Sequence, residues 1–307
     1  MSLWIPITIA AAGFQTVRFM LQKSLSSVKL SAAGATFARF VYSLPLALLG
    51  LVVAIQVTGL SLPDLSARFW VFAIIGGTSQ ILATICVVAL FKQRNFAVGI
   101  TFKKTEVIQT AIVGFVVLGD QVSTGALGAI VVGLLAVLLL SKTPGGDGAW
   151  WQHLTNRASR LGLGSGVLFA FSSVSYRGAS LELGDIDAWF RALVTLAAVV
   201  TFQFVSMGIW LLWRDRAELR AVWNTRRTGV FVGLTSLCGS FCWFFAFTLQ
   251  NAAYVKALGQ VELLLSLLAS TLFLTSDIFS YKSLILLCLG CQKALHGLFS
   301  PAIVSEC

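Results

Sequence analysis

The chain alternates between long apolar stretches and short polar segments over almost its whole length. A transmembrane helix needs about 20 predominantly apolar residues to cross a hydrocarbon core about 30 Å thick. Ten stretches are close to that length, and the pattern predicts that each forms a membrane-spanning helix. They cover residues 3–22, 34–57, 69–91, 96–118, 124–141, 162–181, 188–212, 228–249, 252–274 and 281–295.

Composition favours a membrane location and excludes an ordinary soluble domain. Hydrophobic residues make up 57% of the chain and charged residues only 11%. The first residues lack the basic segment of a signal peptide and run directly into a helix, so the start is predicted to be mature protein. We therefore expect an all-α polytopic protein of about ten helices in a lipid bilayer.

Basic residues outnumber acidic ones, 22 against 12, and the net charge is +10. In a soluble protein this surplus would suggest nucleic acid, but here it lies mostly in alternate connections between the predicted helices, which indicates membrane topology instead. The positive-inside rule places these connections in the cytoplasm and both termini outside. Their basic residues are Lys23, Lys29, Lys92, Arg94, Lys142, Arg157, Arg160, Arg214, Arg216, Arg220, Arg226 and Arg227.

Two parts of the chain resemble each other, which indicates an internal duplication. The first predicted copy covers 1–141, the second covers 162–307, and 142–161 connects them. Each copy holds five helices, an odd number, so the second copy is expected to enter the membrane inverted. Such repeats are typical of secondary transporters with a site at mid-membrane. The matched segments are Lys104-Thr105-Glu106-Val107 with Gln260-Val261-Glu262-Leu263, Leu118-Gly119-Asp120 with Thr275-Ser276-Asp277, and Arg39 with Arg191.

These motifs resemble the repeat of the EamA family in the drug/metabolite transporter superfamily. The similar features are a membrane-buried glutamate, a stretch of apolar and small residues, Gly119-Asp120 followed by Ser123, and an arginine that opens the second helix of each half. The resemblance covers nearly the whole chain. It implies a ten-helix, five-plus-five transporter of small metabolites, often an exporter, which works without ATP and is driven by a proton gradient or by exchange.

The chain departs from the family pattern at several positions. Val107 and Leu263 stand where the family usually has proline, and Asp120 stands where it has glutamate. The firmly apolar part of the tenth stretch, 284–290, is too short to cross a membrane comfortably. The resemblance also implies cytoplasmic termini, whereas the connecting charges place the termini outside.

Charged and polar residues recur on single faces of the predicted helices. Helix four places Gly99, Lys103, Glu106 and Thr110 on one face by their spacing, and helix nine does the same with Glu262 and its neighbours. A charge that faces lipid costs at least about 2.5 to 3.5 kcal/mol, so these faces are expected to turn inward and form a polar cavity. The predicted substrate-binding or coupling residues are Glu106, Glu262, Lys103, Arg39, Arg191, Arg18, Gln15, Thr110, Ser266 and Trp243.

The role of the two glutamates is open at this point. In one interpretation Glu106 forms a fixed ion pair with Lys103 or Arg39 that holds helices together. In the other, a buried glutamate exchanges a proton as substrate binds, and Glu262 is the better candidate because its own helix has no basic residue one turn away. Cations outnumber carboxylates within the predicted helices, which favours anionic or zwitterionic cargo unless the cations extend to the membrane surface.

Residues for catalysis or metal binding are scarce. The six cysteines are scattered, the Cys288/Cys291 pair has no further ligand nearby, and the two histidines, His153 and His296, lie near connections or the tail. We predict no enzyme activity and no cofactor. The expected partners are a small-molecule substrate, protons and the bilayer, without nucleic acid, in a monomer or homodimer. The alternative is an integral membrane scaffold or receptor that transports nothing.

Overall fold

A computed structural model describes residues 2–28, 30–93, 96–128, 130–132 and 156–265, and within these residues it is helical without β-strands. The apolar stretches of the sequence account for this, because helices satisfy every backbone polar group within their own segment. In chain order the helices are α1 Trp4–Val28, α2 Ala32–Thr58, α3 Ala67–Leu90, α4 Phe96–Lys103, α5 Glu106–Leu118, α6 Arg157–Leu181, α7 Ala188–Arg214, α8 Arg216–Asn224, α9 Arg226–Leu249 and α10 Ala252–Leu258.

Five of the described helices are long and apolar enough to cross a membrane, namely α1, α2, α3, α7 and α9. Helix α6 is long but is not among them, because serines and glycines replace much of its apolar surface. Most of α6 is buried among its neighbours, so small side chains serve close packing there. Parts of the predicted helix five, 124–128 and 130–132, are helical, and the predicted helix ten lies outside the described residues.

The predicted helix at 96–118 is not continuous, and this prediction was wrong. It is divided into α4 and α5 by a turn at Lys104 and Thr105. The predicted helix at 252–274 is divided in a similar way, since α10 ends at Leu258 and helical structure resumes at 261–265 after a turn. Each interruption comes directly before a glutamate that the sequence singled out, Glu106 or Glu262.

The segment predicted to be a loop between helices seven and eight contains the short helix α8, which the sequence reading missed. Asp215 begins it, because its Oδ1 accepts hydrogen bonds from the backbone N–H groups of Ala217 and Glu218. Trp213, near the end of α7, and Trp223, in the last turn of α8, are exposed, as is common for tryptophan at a membrane surface. Helix α8 therefore belongs to the surface of the bundle and connects α7 to α9.

Connections that are distant in sequence meet at two ends of the bundle. At the first, which we call the basic end, Lys92 Nζ donates to the Leu30 carbonyl at 3.1 Å, and the Ser31 amide donates to Glu218 Oε1 at 2.7 Å. At the other end Arg68 pairs with Glu182 at 3.6 Å. The connections that follow α1, α3 and α7 therefore share the basic end, and Lys92 is one of their described basic residues.

Small residues allow the helices to approach closely. A methyl group at Gly178 would lie 2.9 Å from the Phe72 ring, and one at Gly76 would lie 2.7 Å from the Tyr176 ring, so α3 and α6 run antiparallel in direct contact. A methyl group at Gly162 would lie 2.8 Å from the backbone carbonyl carbon of Gly99 in α4. The helices through Glu262 form one compact unit around these contacts.

Candidate functional site

Four buried side chains and the partly buried Glu262 form a charge cluster, which we define as Lys103, Lys104, Lys256, Glu106 and Glu262. Glu106 Oε1 lies 3.8 Å from Lys103 Nζ and 3.8 Å from Lys256 Nζ. Glu262 Oε2 lies 3.6 Å from Lys104 Nζ and 4.0 Å from Lys103 Nζ. The cluster contains three ammonium groups and two carboxylates, so it joins α4 and α5 to the α10 region with one positive charge in excess.

The interrupted helices explain why charges are stable in this position. Lys103 and Lys256 lie in the last turns of α4 and α10, while Glu106 lies in the first turn of α5. The helix dipole favours a cation at a C-terminus and an anion at an N-terminus, so each of these side chains has the favourable sign. The turns and the charges therefore stabilise each other.

Glycine in α6 makes room for the first interruption. Gly166 faces the turn, where a methyl group would lie 2.7 Å from Gln109 Oε1 and 3.2 Å from the Lys103 carbonyl oxygen. Gly164 has open space instead, with nothing within 4 Å. These glycines of α6 are therefore not equivalent, because Gly162 and Gly166 contact α4 and α5 directly and Gly164 does not.

A cavity lies beside the charge cluster at mid-length of α1, α3, α6 and α9, with about 460 Å³ of space between atoms that includes volume open to solvent. Its lining combines polar and aromatic side chains. It consists of Gln15, Arg18, Arg39, Gln80, Phe169, Ser172, Ser173, Tyr176, Thr235, Ser236, Gly239, Ser240, Trp243, Phe244, Phe247 and Lys256.

Arg39 is held in the cavity wall by neutral partners. Its Nη2 donates to Ser240 Oγ at 2.8 Å and to Gln80 Oε1 at 3.3 Å. Gln80 Oε1 also accepts from the Tyr176 hydroxyl at 3.0 Å and from Gln203 Nε2 at 2.9 Å. This network connects five helices, α2, α3, α6, α7 and α9, and fixes the guanidinium of Arg39 without neutralising its charge.

Aromatic rings form a further part of the cavity lining, which we call the aromatic wall. Tyr176 stacks on Phe244 with ring centroids 4.2 Å apart, and Trp243 stacks on Phe247 at 5.6 Å. Lys256 Nζ lies 5.0 Å from the centre of the Trp243 ring, which adds a cation–π contact. Trp243, which the sequence analysis named as a site residue, therefore lies in the cavity wall together with Phe244 and Phe247.

Most of the sequence-predicted residues come together, in two layers. Gln15, Arg18, Arg39 and Trp243 line the cavity, and the charge cluster contains Lys103, Glu106 and Glu262. Gln15 Nε2 connects the two layers because it donates to Glu262 Oε2 at 2.9 Å. Glu262 lacks a basic neighbour in its own helix, as expected, but Lys103 and Lys104 approach it from the other interrupted helix.

Three predicted site residues lie elsewhere or outside the described part. The Thr110 hydroxyl donates to the Glu106 carbonyl in its own helix at 2.7 Å, and Thr110 is not part of the cavity lining. Arg191 is bound to the connection between α6 and α7, where its Nη1 donates to the Gly184 carbonyl at 3.2 Å. Ser266, Cys288, Cys291, His153 and His296 lie outside the described residues.

Sequence reasoning missed Gln80 and the polar face of α6. Gln80 lies in a mostly apolar helix next to Thr78 and Ser79, so its residue type alone does not distinguish it as a site residue. Ser172, Ser173 and Tyr176 recur at helical spacing, so a count of polar positions on α6 could have found them. Lys256, in the last turn of α10, was also missing from the predicted site residues.

Comparison with known proteins supports the fold alone. A solved crystal structure, described only as "Crystal structure of protein", has a TM-score of 0.59 to this chain with 14% sequence identity. The similarity covers 92% of this chain and 94% of the other. No protein-family model matches the chain. No curated protein sequence matches it either.

Proposed function

We propose that the protein is a secondary-active transporter of small metabolites, similar to EamA-family exporters, in a bacterial inner membrane. The cavity is the observation that supports this most strongly. Its lining comes from both predicted halves, with Gln15, Arg18, Arg39 and Gln80 from the first and the remaining residues from the second. A mid-bundle site between two halves is the arrangement that alternating access uses.

The interrupted helices add independent support. Secondary transporters commonly build their sites from broken helices, because half-helix ends supply partial charges inside the membrane. Both interruptions occur at the positions that the repeat alignment pairs, just before Glu106 and Glu262. Two similar halves in opposite orientation are therefore part of the proposal.

We assign the charge cluster a joining role in this transporter. Each glutamate faces two lysines within 4.0 Å, so neither carboxylate lacks a counter-charge. A buried ion pair of this kind holds elements in register, and removal of one partner leaves an uncompensated buried charge. Transport by exchange or by facilitated movement needs no proton on these carboxylates.

Flux through the purified protein in proteoliposomes tests the proposal. Vesicles preloaded with an unlabelled organic-acid or amino-acid mixture should take up labelled substrate faster than protein-free vesicles, with and without an imposed proton gradient. For Glu262→Gln, the joining role predicts lower thermal stability and a residual flux whose response to the gradient equals that of the wild type.

Other results would identify the alternatives. Flux that depends on the gradient in the wild type but not in Glu262→Gln would make Glu262 a proton carrier and overturn the joining role. No flux for any substrate, together with unchanged stability of Glu262→Gln and Glu106→Gln, would favour a scaffold or receptor.

A further inference from the structure

Two guanidinium groups, those of Arg18 and Arg39, line the cavity and form no ion pair with a carboxylate among the described residues. Arg18 and Arg39 are 4% and 3% exposed, and within the described part of the chain neither forms an ion pair. Arg39 Nη1 is buried without a hydrogen-bond partner among those residues. Arg18 contacts the ring of Phe19, 4.4 Å from its centre, and lies in electrostatic range of Arg39, which repels it.

Glu262 does not relieve this repulsion fully. It attracts Arg18, but its Oε2 is already contacted by Gln15, Lys103 and Lys104. A buried charge without a close partner is costly. Guanidinium groups bind carboxylates through two parallel hydrogen bonds, so a carboxylate between Arg18 and Arg39 would supply the missing counter-charge.

The described cavity lining offers no carboxylate to a ligand that carries a positive group in addition to its own carboxylate. Its described lining contains three cations, Arg18, Arg39 and Lys256, and no aspartate or glutamate. The nearest carboxylates, Glu106 and Glu262, are each matched by two lysines. An ammonium group in the cavity would therefore meet repulsion on several sides, which disfavours amino acids and amines.

The aromatic wall indicates what kind of body the ligand should have apart from its carboxylate. Phe169, Trp243 and Phe247 surround Lys256 and present apolar ring surface to the cavity. The Trp243 Nε1 group is buried without a hydrogen-bond partner among the described residues, so it is a donor with no acceptor. A flat apolar body that carries an oxygen acceptor in addition to its carboxylate would satisfy both features.

We propose that the cavity selects organic monocarboxylates that have an aromatic body and no ammonium group, with aryl 2-oxo acids as the best-fitting class. This rests on the proposed transport function for its biological meaning, but binding can be measured without transport. A small inorganic anion would leave the aromatic wall uncovered, and a dicarboxylate would place its second charge against that wall.

Binding to the purified full-length protein in detergent, measured by isothermal titration calorimetry, tests the proposal with matched ligands. Phenylpyruvate and L-phenylalanine have the same carboxylate and ring but differ by an oxo or an ammonium group. We expect phenylpyruvate to bind at least tenfold more tightly than L-phenylalanine, phenethylamine, pyruvate, succinate or inorganic phosphate. 3-Phenylpropionate, which lacks the oxo group, should fall between phenylpyruvate and phenylalanine.

Variants connect this selectivity to the proposed residues. Arg18→Gln and Arg39→Gln should each weaken phenylpyruvate binding at least tenfold, whereas Arg68→Gln, at an exposed arginine near the far end of the bundle, should not. Arg18→Lys retains the charge but removes the planar guanidinium that can donate two parallel hydrogen bonds to a carboxylate. It should therefore weaken phenylpyruvate binding, and it provides the test if Arg18→Gln fails to fold. Equal binding of phenylalanine and phenylpyruvate, or no binding of any ligand, would overturn the proposal.

The two proposals fail in different ways. Tight phenylpyruvate binding without flux in vesicles would support the ligand class and contradict transport. Flux of amino acids through a protein that does not bind phenylpyruvate would support transport and contradict the ligand class.

Discussion

Arg177 holds the ends of three helices together through hydrogen bonds to one carboxylate and one carbonyl. Its Nε and Nη2 donate to the two oxygens of Asp120, at 2.9 and 3.4 Å, and its Nη1 donates to the Phe247 carbonyl at 2.9 Å. Gly119, with φ of 68°, turns the chain at the end of α5 and delivers Asp120 to this position. The Gly-Asp motif of the sequence is therefore a structural clamp at the end opposite to the basic end.

Asp120→Asn should destabilise the protein by about 2 kcal/mol, because it weakens two charge-assisted hydrogen bonds in a mostly buried position. Thermal unfolding of the detergent-purified protein, with and without the substitution, measures the loss. Glu182→Gln is the matched control, since its partner Arg68 is 79% exposed and such pairs contribute only about 0 to 1 kcal/mol. Equal losses in the two variants would contradict the clamp.

At the residue scale, the sequence predicted which charged residues belong to the site better than it predicted which residues they contact. Spacing within one helix correctly indicated that Lys103 and Glu106 are neighbours. The contacts of Glu262 with Lys104 and Gln15 join residues far apart in the chain, and no local pattern contains that information. Arg39 shows the same limit, because its partners Gln80 and Ser240 are neutral and come from two other helices.

Interruptions within helices are the main feature at the scale of elements. The stretch at 96–118 is apolar enough to form one helix, and nothing in its composition marks the turn at Lys104 and Thr105. The turn depends on tertiary contacts, namely Gly166 of α6 and the lysines and glutamates of the charge cluster. The length of an apolar stretch therefore predicted that it is helical, but it did not predict whether the helix is continuous.

Close packing of α6 on α4 leads to a test with two neighbouring glycines. Gly162→Ala should cost about 1 to 3 kcal/mol of stability, because its methyl group would overlap the backbone carbonyl oxygen of Gly99 and overpack the contact. Gly164→Ala, two residues further on, meets open space and should stabilise the helix by about 0.5 to 1 kcal/mol. Thermal unfolding curves of the two variants should shift in opposite directions; a similar shift would contradict the packing argument.

At the scale of the whole molecule, the loop charges and the structure agree on which connections belong together. The contacts of Lys92 with Leu30 and of Glu218 with Ser31 bring three of the basic connections to one end. Hydrophobic and charge patterns thus predicted an all-helical protein and the grouping of its connections. They did not predict α8, because it is short and amphipathic rather than apolar.

The positive-inside rule predicts that the basic end faces the cytoplasm. Arg220→Cys in α8, introduced into a chain whose native cysteines are replaced, should react with a membrane-impermeant maleimide only in inside-out vesicles. Arg68→Cys, at the opposite end, should react only in right-side-out vesicles. The reverse labelling would instead agree with the cytoplasmic termini that the family resemblance implies.

The charge cluster also constrains how the protein is made. Glu262 follows Glu106 by about 150 residues, so at ordinary translation rates it leaves the ribosome on the order of ten to thirty seconds later. During that interval the described part of the first half has Lys103 as a partner for Glu106, but it has no carboxylate for Lys104. If the protein is a membrane transporter as proposed, its nascent first half would therefore enter the bilayer with its charges incompletely matched, and biogenesis would be complete only when the second half had been synthesised and docked.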